Sequence, residues 1–356
     1  MNEDTDVAHM RRALRLAARA AGRTSPNPLV GAIVVRDGEV VGEGYHHAAG
    51  EPHAEVLALE KAGAAARGGT LYTNLEPCAH TGRTPPCVTA IKQAGVARVV
   101  AAMRDPDPRT NGKGFRALRD AGIAVTDGVL AAEAARLNAG FVSRLTRGRP
   151  FVLVKLATTV DGRVAVAGRR YLSGKPALKE VHRLRDRFDA VLVGVGTIIA
   201  DDPALTVREV KGRDPLRVVV DADARTPTNS KVVRAKDPQR TVIFVARDAD
   251  VRRTNRLRDA GVSLVTVPRS EGGLDLGVVL RWLGEHGVNT VLSEAGPRVA
   301  GALVRAGLAD RLLFLLAPVA GGEGAPALAG VADATALQDV RVRRLGADIA
   351  VEGALP

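Results

Sequence analysis

The chain has 356 residues, 46% hydrophobic and 25% charged, a composition that excludes a disordered or fibrous protein and, at roughly 100–200 residues per domain, provides two compact domains. The net charge of +12 is scattered over both halves instead of gathered in a basic arm, and aromatic residues, at 3%, are too few to stack single-stranded bases, so the surplus reads as sites for phosphorylated small molecules with no nucleic-acid partner. No apolar run is long enough to span a bilayer, which predicts no membrane partner, and the two cysteines are expected as reduced thiols.

In chain order, three acids precede the first basic residue, unlike the positive start of a leader peptide, and a cytoplasmic protein is expected. Residues Val7 to Ala21 place Met10, Leu14 and Ala17 or Ala18 on one side of an amphipathic helix, with Asp6 as its cap and Gly22 as its stop. Leu29 to Val35 and Val40 to Tyr45 are apolar, β-branched runs joined through Asp37-Gly38, a strong hairpin signal. A helix from His53 to Ala66, a strand at Thr70 to Leu75, a helix beginning at Pro86 and a strand at Arg98 to Met103 follow. The stretch Thr146 to Pro150 marks a domain boundary. Beyond it, strands are expected at Phe151 to Ala157, Ala190 to Val195, Leu216 to Val220, Thr241 to Val245, Ser263 to Val267, Thr290 to Ser293 and Leu312 to Ala317. Strands alternating with helices in both halves define the α/β class.

Both cysteines of the chain lie in one element, Cys78 in Glu-Pro-Cys and Cys87 nine positions on, downstream of His53 and Glu55 in His-Ala-Glu. One imidazole and two thiolates suit a Zn2+ ion, and three protein ligands leave a fourth position open, the mark of a catalytic site. Glu55 is placed to carry a proton from water to a leaving amine without being a ligand. The order His, Glu, Pro-Cys is that of the zinc base deaminases. A structural zinc site would want four protein ligands, and His80, two residues after Cys78, is the residue available for that role. Gly194-Val195-Gly196 suggests a dinucleotide loop, but Ile199 stands where its third small residue belongs.

Several segments resemble the bifunctional riboflavin-biosynthesis deaminase/reductase family. They are Pro26-Asn27-Pro28-Leu29-Val30-Gly31, Gly44-Tyr45-His46, His53-Ala54-Glu55 and the run Leu75-Glu76-Pro77-Cys78-Ala79-His80-Thr81-Gly82-Arg83-Thr84-Pro85-Pro86-Cys87. The eight residues between the cysteines favour this branch, since other base deaminases usually have two there. The second half continues the resemblance in Lys155-Leu156-Ala157-Thr158-Thr159-Val160-Asp161-Gly162, Gly196-Thr197, Ala200-Asp201-Asp202-Pro203-Ala204-Leu205-Thr206 and Glu294-Ala295-Gly296-Pro297.

The resemblance implies a cytidine-deaminase-like layered domain over 1–148 and a dihydrofolate-reductase-like α/β domain over 149–356. It implies Zn2+ held by His53, Cys78 and Cys87, Glu55 as the catalytic acid–base, and Asn27 and His80 around a pyrimidine. Against NADPH it places Thr158, Tyr171, Thr197, Asp201 and the run Gly296, Pro297, Arg298, Val299, Ala300, Gly301 and Ala302. Against the sugar phosphate of the substrate it places Lys155, Arg169, Arg185, Leu205, Arg208 and Glu294, with Lys155 and Asp201 as candidate proton donors. A homo-oligomer, dimer or tetramer, is the expected assembly. Arg169 and Tyr171 depart from the Ser and Trp common in the family. The residues themselves support part of this: Gly296-Pro297 opens a helix whose free N–H groups suit a phosphate, and Arg185 and Arg208 can offer paired donors to one. Taken alone, Arg185 in the basic run Lys179 to Arg187 reads as a solvated face. Two rival functions stand beside the resemblance: a deaminase of another base, including one in tRNA, with an accessory second domain, and a non-catalytic, zinc-stabilised binding protein.

Overall fold

The structure is a computed structural model that describes residues 3–80, 85–164, 166, 172–321 and 324–356. The chain divides into two compact units, Met1–Gly148 and Arg149–Pro356. Among the described residues no helix is long and apolar enough to cross a membrane.

In the first unit α1 (Glu3–Ala17) leads into β1 (Gly31–Arg36) and β2 (Glu39–Tyr45), then α2 (Ala54–Ala62), β3 (Thr70–Thr73), α3 (Cys87–Ala94) and β4 (Arg98–Ala101). It closes with α4 (Lys113–Arg119), β5 (Ala124–Asp127), α5 (Ala131–Leu137) and α6 (Ala139–Arg147). The sheet order is β2-β1-β3-β4-β5, antiparallel through β1 and parallel from β3 onward. Asp37 and Gly38 turn the β1–β2 hairpin with positive φ of 51° and 87°, the backbone that this dipeptide favours. Strand alternation divides the core between two faces. Ala32, Val34, Leu71 and Val99 pack with Ala58, Leu59 and Ile91 on one side; Ile33, Val35, Tyr72 and Val100 pack with Met10, Ala13 and Leu14 on the other. Helices thus cover both faces, and the result is a three-layer α/β/α unit.

The first helix begins at Glu3, before Asp6, so Asp6 is not the cap expected of it. It is buried instead, and its carboxylate accepts from Tyr72 Oη at 2.8 Å and from Arg98 Nη2 at 2.7 Å. A buried carboxylate is stable only with such partners.

In the second unit the chain runs β6 (Phe151–Thr158), α7 (Lys175–Arg187), β7 (Ala190–Gly194), α8 (Val195–Asp201), β8 (Leu216–Val220), β9 (Thr241–Ala246), α9 (Val251–Asp259) and β10 (Ser263–Val267). A short hairpin of β11 (Arg269–Ser270) and β12 (Gly273–Leu274) precedes α10 (Leu276–Glu285), β13 (Thr290–Ser293), α11 (Pro297–Arg305), β14 (Arg311–Leu316), β15 (Gln338–Leu345) and β16 (Asp348–Ala354). Nine strands form one sheet in the order β10-β9-β8-β7-β13-β6-β14-β16-β15. The seven from β10 to β14 are parallel and the last two antiparallel. Hydrophobic clusters line both faces of this sheet, as a parallel sheet requires.

Close packing of α2 on β2 depends on Gly42. A methyl group added there would run into the Ala58 carbonyl and the Ala62 backbone, atoms that cannot move without displacing the helix. Gly42→Ala is expected to destabilise the first unit by about 1–3 kcal/mol, the usual cost of overpacking, read as a lower midpoint in denaturant unfolding of the full chain.

Candidate functional site

His53 is the residue before α2, with extended backbone (φ −74°, ψ 158°), and Cys87 is the first residue of α3. Two helix N-termini therefore meet at this point, and their dipoles favour negative charge on sulfur. Cys78 arrives from the loop after β3; its Sγ accepts the Cys87 N–H at 3.3 Å and its carbonyl accepts the Val88 N–H at 3.2 Å. His53 Nδ1 lies 3.0 Å from Cys87 Sγ and 3.6 Å from Cys78 Sγ. The three ligand atoms all lie within 4.8 Å of one another. Zinc bonds of ~2.1 Å to nitrogen and ~2.3 Å to sulfur need ligand atoms ~3.6 Å apart in a tetrahedron, so these donors fit zinc in number, type and spacing. Among the described residues no fourth protein group joins the cluster. His80 sits apart from it, with Nδ1 3.2 Å from Thr110 Oγ1.

Glu55 stands in the first turn of α2 and is 3% exposed. Burial, opposed by the charge of His53, pushes its carboxyl up to about 7. The Cys78 thiol goes the other way, down to about 4, because Cys87 donates to it and His53 adds to the effect. Cys87 is pushed up by the same bond and by burial.

Asn27 reaches this site through a residue that sequence reasoning did not assign. Asn27 Nδ2 is 3.0 Å from His46 Nε2, His46 Nδ1 is 3.1 Å from the Pro52 carbonyl, and the His46 ring stands edge-on to His53 with centroids 5.4 Å apart. The Pro52 carbonyl takes the Nδ1 proton, which leaves Nε2 to accept from the asparagine amide. Burial lowers the pKa of His46, in keeping with a neutral ring. Two asparagines hold the neighbouring Leu29: Asn138 Oδ1 accepts its N–H at 2.8 Å, and Asn74 Nδ2 donates to its carbonyl at 2.9 Å. Glu76 was also missed. Its carboxylate accepts backbone N–H groups from Asp105, Gly112, Gly114 and Phe115, tying the 105–115 loop to the strand that leads to Cys78. A methyl at Gly114 would strike the Pro77 carbonyl. Asp105 in that loop is buried, and burial pushes its carboxyl up to about 7.

In the second unit a cavity of about 1950 Å³ opens at the carboxyl ends of β6, β7, β8 and β13, where open parallel sheets bind ligands. Its walls include Lys155, Arg185, Thr197, Asp201, Leu205, Arg208, Glu294, Gly296, Pro297, Arg298, Val299 and Ala302. Gly296, the residue before α11, carries extended backbone (φ −66°, ψ 174°) with no side-chain cap, so the first turn of that helix is available to an anion. This opening, beside so large a cavity, fits a dinucleotide. Thr158, Ala300 and Gly301 lie elsewhere: Thr158 and Ala300 are fully buried and outside the walls, and Gly301 packs on Ala329. Arg169 and Tyr171 lie outside the described residues.

Arg185 is not a solvated surface charge. It is 8% exposed and grips Glu294 with two bonds, Nε to Oε1 at 2.6 Å and Nη2 to Oε2 at 3.0 Å, while Lys155 Nζ stands 3.6 Å from Glu294 Oε2. Burial alone would raise the Glu294 pKa, but Arg185 and Lys155 hold it at about 2. Because the folded value lies below the ordinary one, the stability it contributes is present above the usual carboxylate range and is lost as pH falls toward 2. Glu294→Gln is expected to cost about 3–5 kcal/mol at neutral pH, since Arg185 is left buried and unpaired, and to flatten stability between pH 4.5 and 2, measured by chemical denaturation across that range.

Comparison with known proteins gives two family matches. Residues 3–103 match the cytidine and deoxycytidylate deaminase zinc-binding region, and residues 150–351 match the RibD C-terminal domain. The riboflavin biosynthesis protein RibD of Escherichia coli (strain K12) is 41% identical, with 97% of this chain and 98% of the relative covered; that of Aquifex aeolicus (strain VF5) is 38% identical with 99% of each covered. Among solved structures, Acinetobacter baumannii RibD in its form 1 is 34% identical with a TM-score of 0.91 over 100% of both chains. The diaminohydroxyphosphoribosylaminopyrimidine deaminase/5-amino-6-(5-phosphoribosylamino)uracil reductase of Thermotoga maritima is 32% identical with a TM-score of 0.86 over 99% of both.

Proposed function

This chain belongs to the RibD family, the bifunctional deaminase/reductases of riboflavin biosynthesis, and from that premise we propose its substrates and the residues that act on them. It is a hydrolase and an oxidoreductase in one chain, with a cytidine-deaminase-like zinc domain followed by an NADPH-dependent reductase domain. Residues 1–148 carry the deaminase and 149–356 the reductase. The deaminase removes the 2-amino group of 2,5-diamino-6-(5-phosphoribosylamino)pyrimidin-4-one with water, releasing ammonia. The reductase then delivers hydride from NADPH to C1′ of the ribosyl group to give the ribityl product. A small phosphorylated pyrimidine is the partner, in the cytoplasm and in a homo-oligomer, with no nucleic acid or membrane involved.

The observation that carries this reading is the convergence of His53, Cys78 and Cys87 beside a buried Glu55. Zinc held by those three residues supplies Lewis acidity toward water. Glu55, with a carboxyl near neutral pKa, takes up a proton and passes it to the departing amine. Asn27, oriented by His46, and His80 hold the pyrimidine. In the reductase, Thr197, Asp201, Gly296, Pro297, Arg298, Val299 and Ala302, all on the cavity wall, seat the cofactor together with Tyr171. Arg169, Arg185, Leu205, Arg208 and Glu294 surround the sugar phosphate, and Lys155 or Asp201 supplies the proton. A non-catalytic zinc protein is not favoured, since His80 bonds Thr110 and leaves the zinc ligands at three. A deaminase for another base leaves the reductase domain without work.

Purified protein given the diamino pyrimidine phosphate is expected to release ammonia without NADPH and to oxidise NADPH only after that step. Glu55→Gln should abolish ammonia release with zinc still bound, measured by metal analysis. Stripping zinc with a chelator should stop ammonia release yet leave reduction of the deaminated substrate intact. Equal loss of both half-reactions on chelation would contradict the assignment of the metal to the first unit's chemistry.

A further inference from the structure

The second unit holds a histidine that no part of the proposed chemistry uses. His182 lies on α7 one turn before Arg185, is 6% exposed, and forms part of the wall of the large cavity. Its Nδ1 accepts the backbone N–H of Arg208 at 2.9 Å. A ring nitrogen that accepts an N–H carries no proton, so in the neutral ring the proton is on Nε2. Burial, and then the charges of Arg185 and Arg208, keep the ring's pKa below its usual value, against the weaker pull of Glu294 and Glu209. Nε2 is therefore an N–H donor at neutral pH, and among the described residues none accepts from it. His182 Nε2 is not among the buried polar atoms left without a partner, so this donor keeps accessible surface on the cavity wall, where a ligand oxygen can accept from it.

The surroundings say which oxygen. Leu205 to Arg208 is lashed to α7 at two points, Arg185 Nη1 to the Thr206 carbonyl at 3.0 Å and His182 Nδ1 to the Arg208 N–H. Arg208 Nη1 is turned toward Thr206 Oγ1 at 2.8 Å and its guanidinium lines the same cavity. Arg185 has spent its charge on Glu294, whereas Arg208 makes no ion pair with a carboxylate among the described residues. The imidazole N–H and the Arg208 guanidinium thus stand together, anchored by one hydrogen bond, as two donors facing the cavity beside a net positive charge. We infer that His182 is a substrate-binding residue of the reductase unit, its Nε2–H donating to a phosphoryl oxygen of the phosphorylated sugar. The inference rests on the proposed reading that this cavity takes a sugar phosphate.

Two variants separate the two ring nitrogens. His182→Asn keeps an acceptor where Nδ1 stands but removes the donor at Nε2; His182→Gln places an amide N–H near Nε2 and gives up the Nδ1 acceptor. Calorimetric titration of the zinc-loaded full chain with ribose 5-phosphate is expected to show binding weakened ~10- to ~100-fold by His182→Asn, the loss of one hydrogen bond to a charged group, and within ~3-fold of the parent for His182→Gln. NADPH affinity, read by fluorescence, stays at the parent value in both and reports that the unit is folded. In turnover the loss falls on KM for the phosphorylated substrate and not on kcat. The reverse order, with Asn tight and Gln weak, would make the ring a strut for the Arg208 loop and overturn the donor role. Equal loss in both variants, no loss in either, or no binding of ribose 5-phosphate by the parent would overturn it as well. If instead the variants rank as expected but the parent oxidises no NADPH with the proposed pyrimidine, the substrate assignment fails and the role of His182 stands.

Discussion

The structure of the first unit is organised around the approach of two sulfurs and one imidazole to within 4.8 Å. Gathering them uses the starts of two helices and one loop, so each donor is fixed by backbone and not by a flexible side chain alone. The arrangement is costly to hold, since Cys87 and Glu55 are buried and His53 and Cys78 are partly so. Neighbouring elements offset that cost with hydrogen bonds: Glu76 gathers four backbone N–H groups beneath Cys78, and Asn74 and Asn138 fix Leu29 two residues from Asn27. Gly42 and Gly44 let α2, which carries His53 at its head, lie directly on β2. A small change in any of these would move a ligand atom by a fraction of an ångström, enough to spoil coordination.

The second unit solves a different problem with the same means. Its parallel sheet opens at the carboxyl ends of the strands, where Lys155, Leu156 and Ala157 of β6 and the residues just beyond Gly194 and Ser293 become cavity wall. A ligand with several phosphates must be met there by donors that do not collapse onto each other's counter-ions. The Arg185–Glu294 pair with Lys155 is internally neutralised in large part and acts as a rigid floor. Helix α11 adds uncapped N–H groups without adding a full charge.

Much of this was legible in the sequence where a local rule acts on local residues. Asp37-Gly38 specifies its hairpin by backbone preference, and the strands Leu216–Val220, Ser263–Val267 and Thr290–Ser293 fall where apolar runs place them. The zinc donors were legible because both cysteines of the chain stand near a His-x-Glu. What was hidden depends on tertiary partners. Asp6 looks like a helix cap until Tyr72 and Arg98 arrive from strands far along the chain. β15 carries Val340 and Val342 among arginines and is exposed on both faces, so no apolar alternation toward a core announces it. Arg185 reads as a surface charge because nothing nearby in sequence reveals Glu294, 109 positions on. His46 and His182 follow no pattern of period or spacing; the one available signal was that His182 precedes Arg185 by a single helical turn.

The two buried glutamates show how neighbours, not residue type, assign the chemistry. Glu55 and Glu294 are both withdrawn from water, and burial alone would raise both pKa values. At Glu55 the positive group that opposes burial among the described residues is His53, burial prevails, and the carboxyl rises to about 7, where it can take and release a proton at neutral pH. At Glu294 the Arg185 guanidinium and the Lys155 ammonium outweigh burial and hold the carboxyl at about 2. A group so acidic cannot deliver a proton to a substrate near neutrality; it can only orient cations and accept hydrogen bonds. The environments push the two carboxyls apart by several units, which is the physical basis for giving them opposite roles. A carboxyl held that low leaves the proton of the proposed reduction to another group, and both candidates, Lys155, 3.6 Å from that carboxylate, and Asp201, stand on the wall of the same cavity.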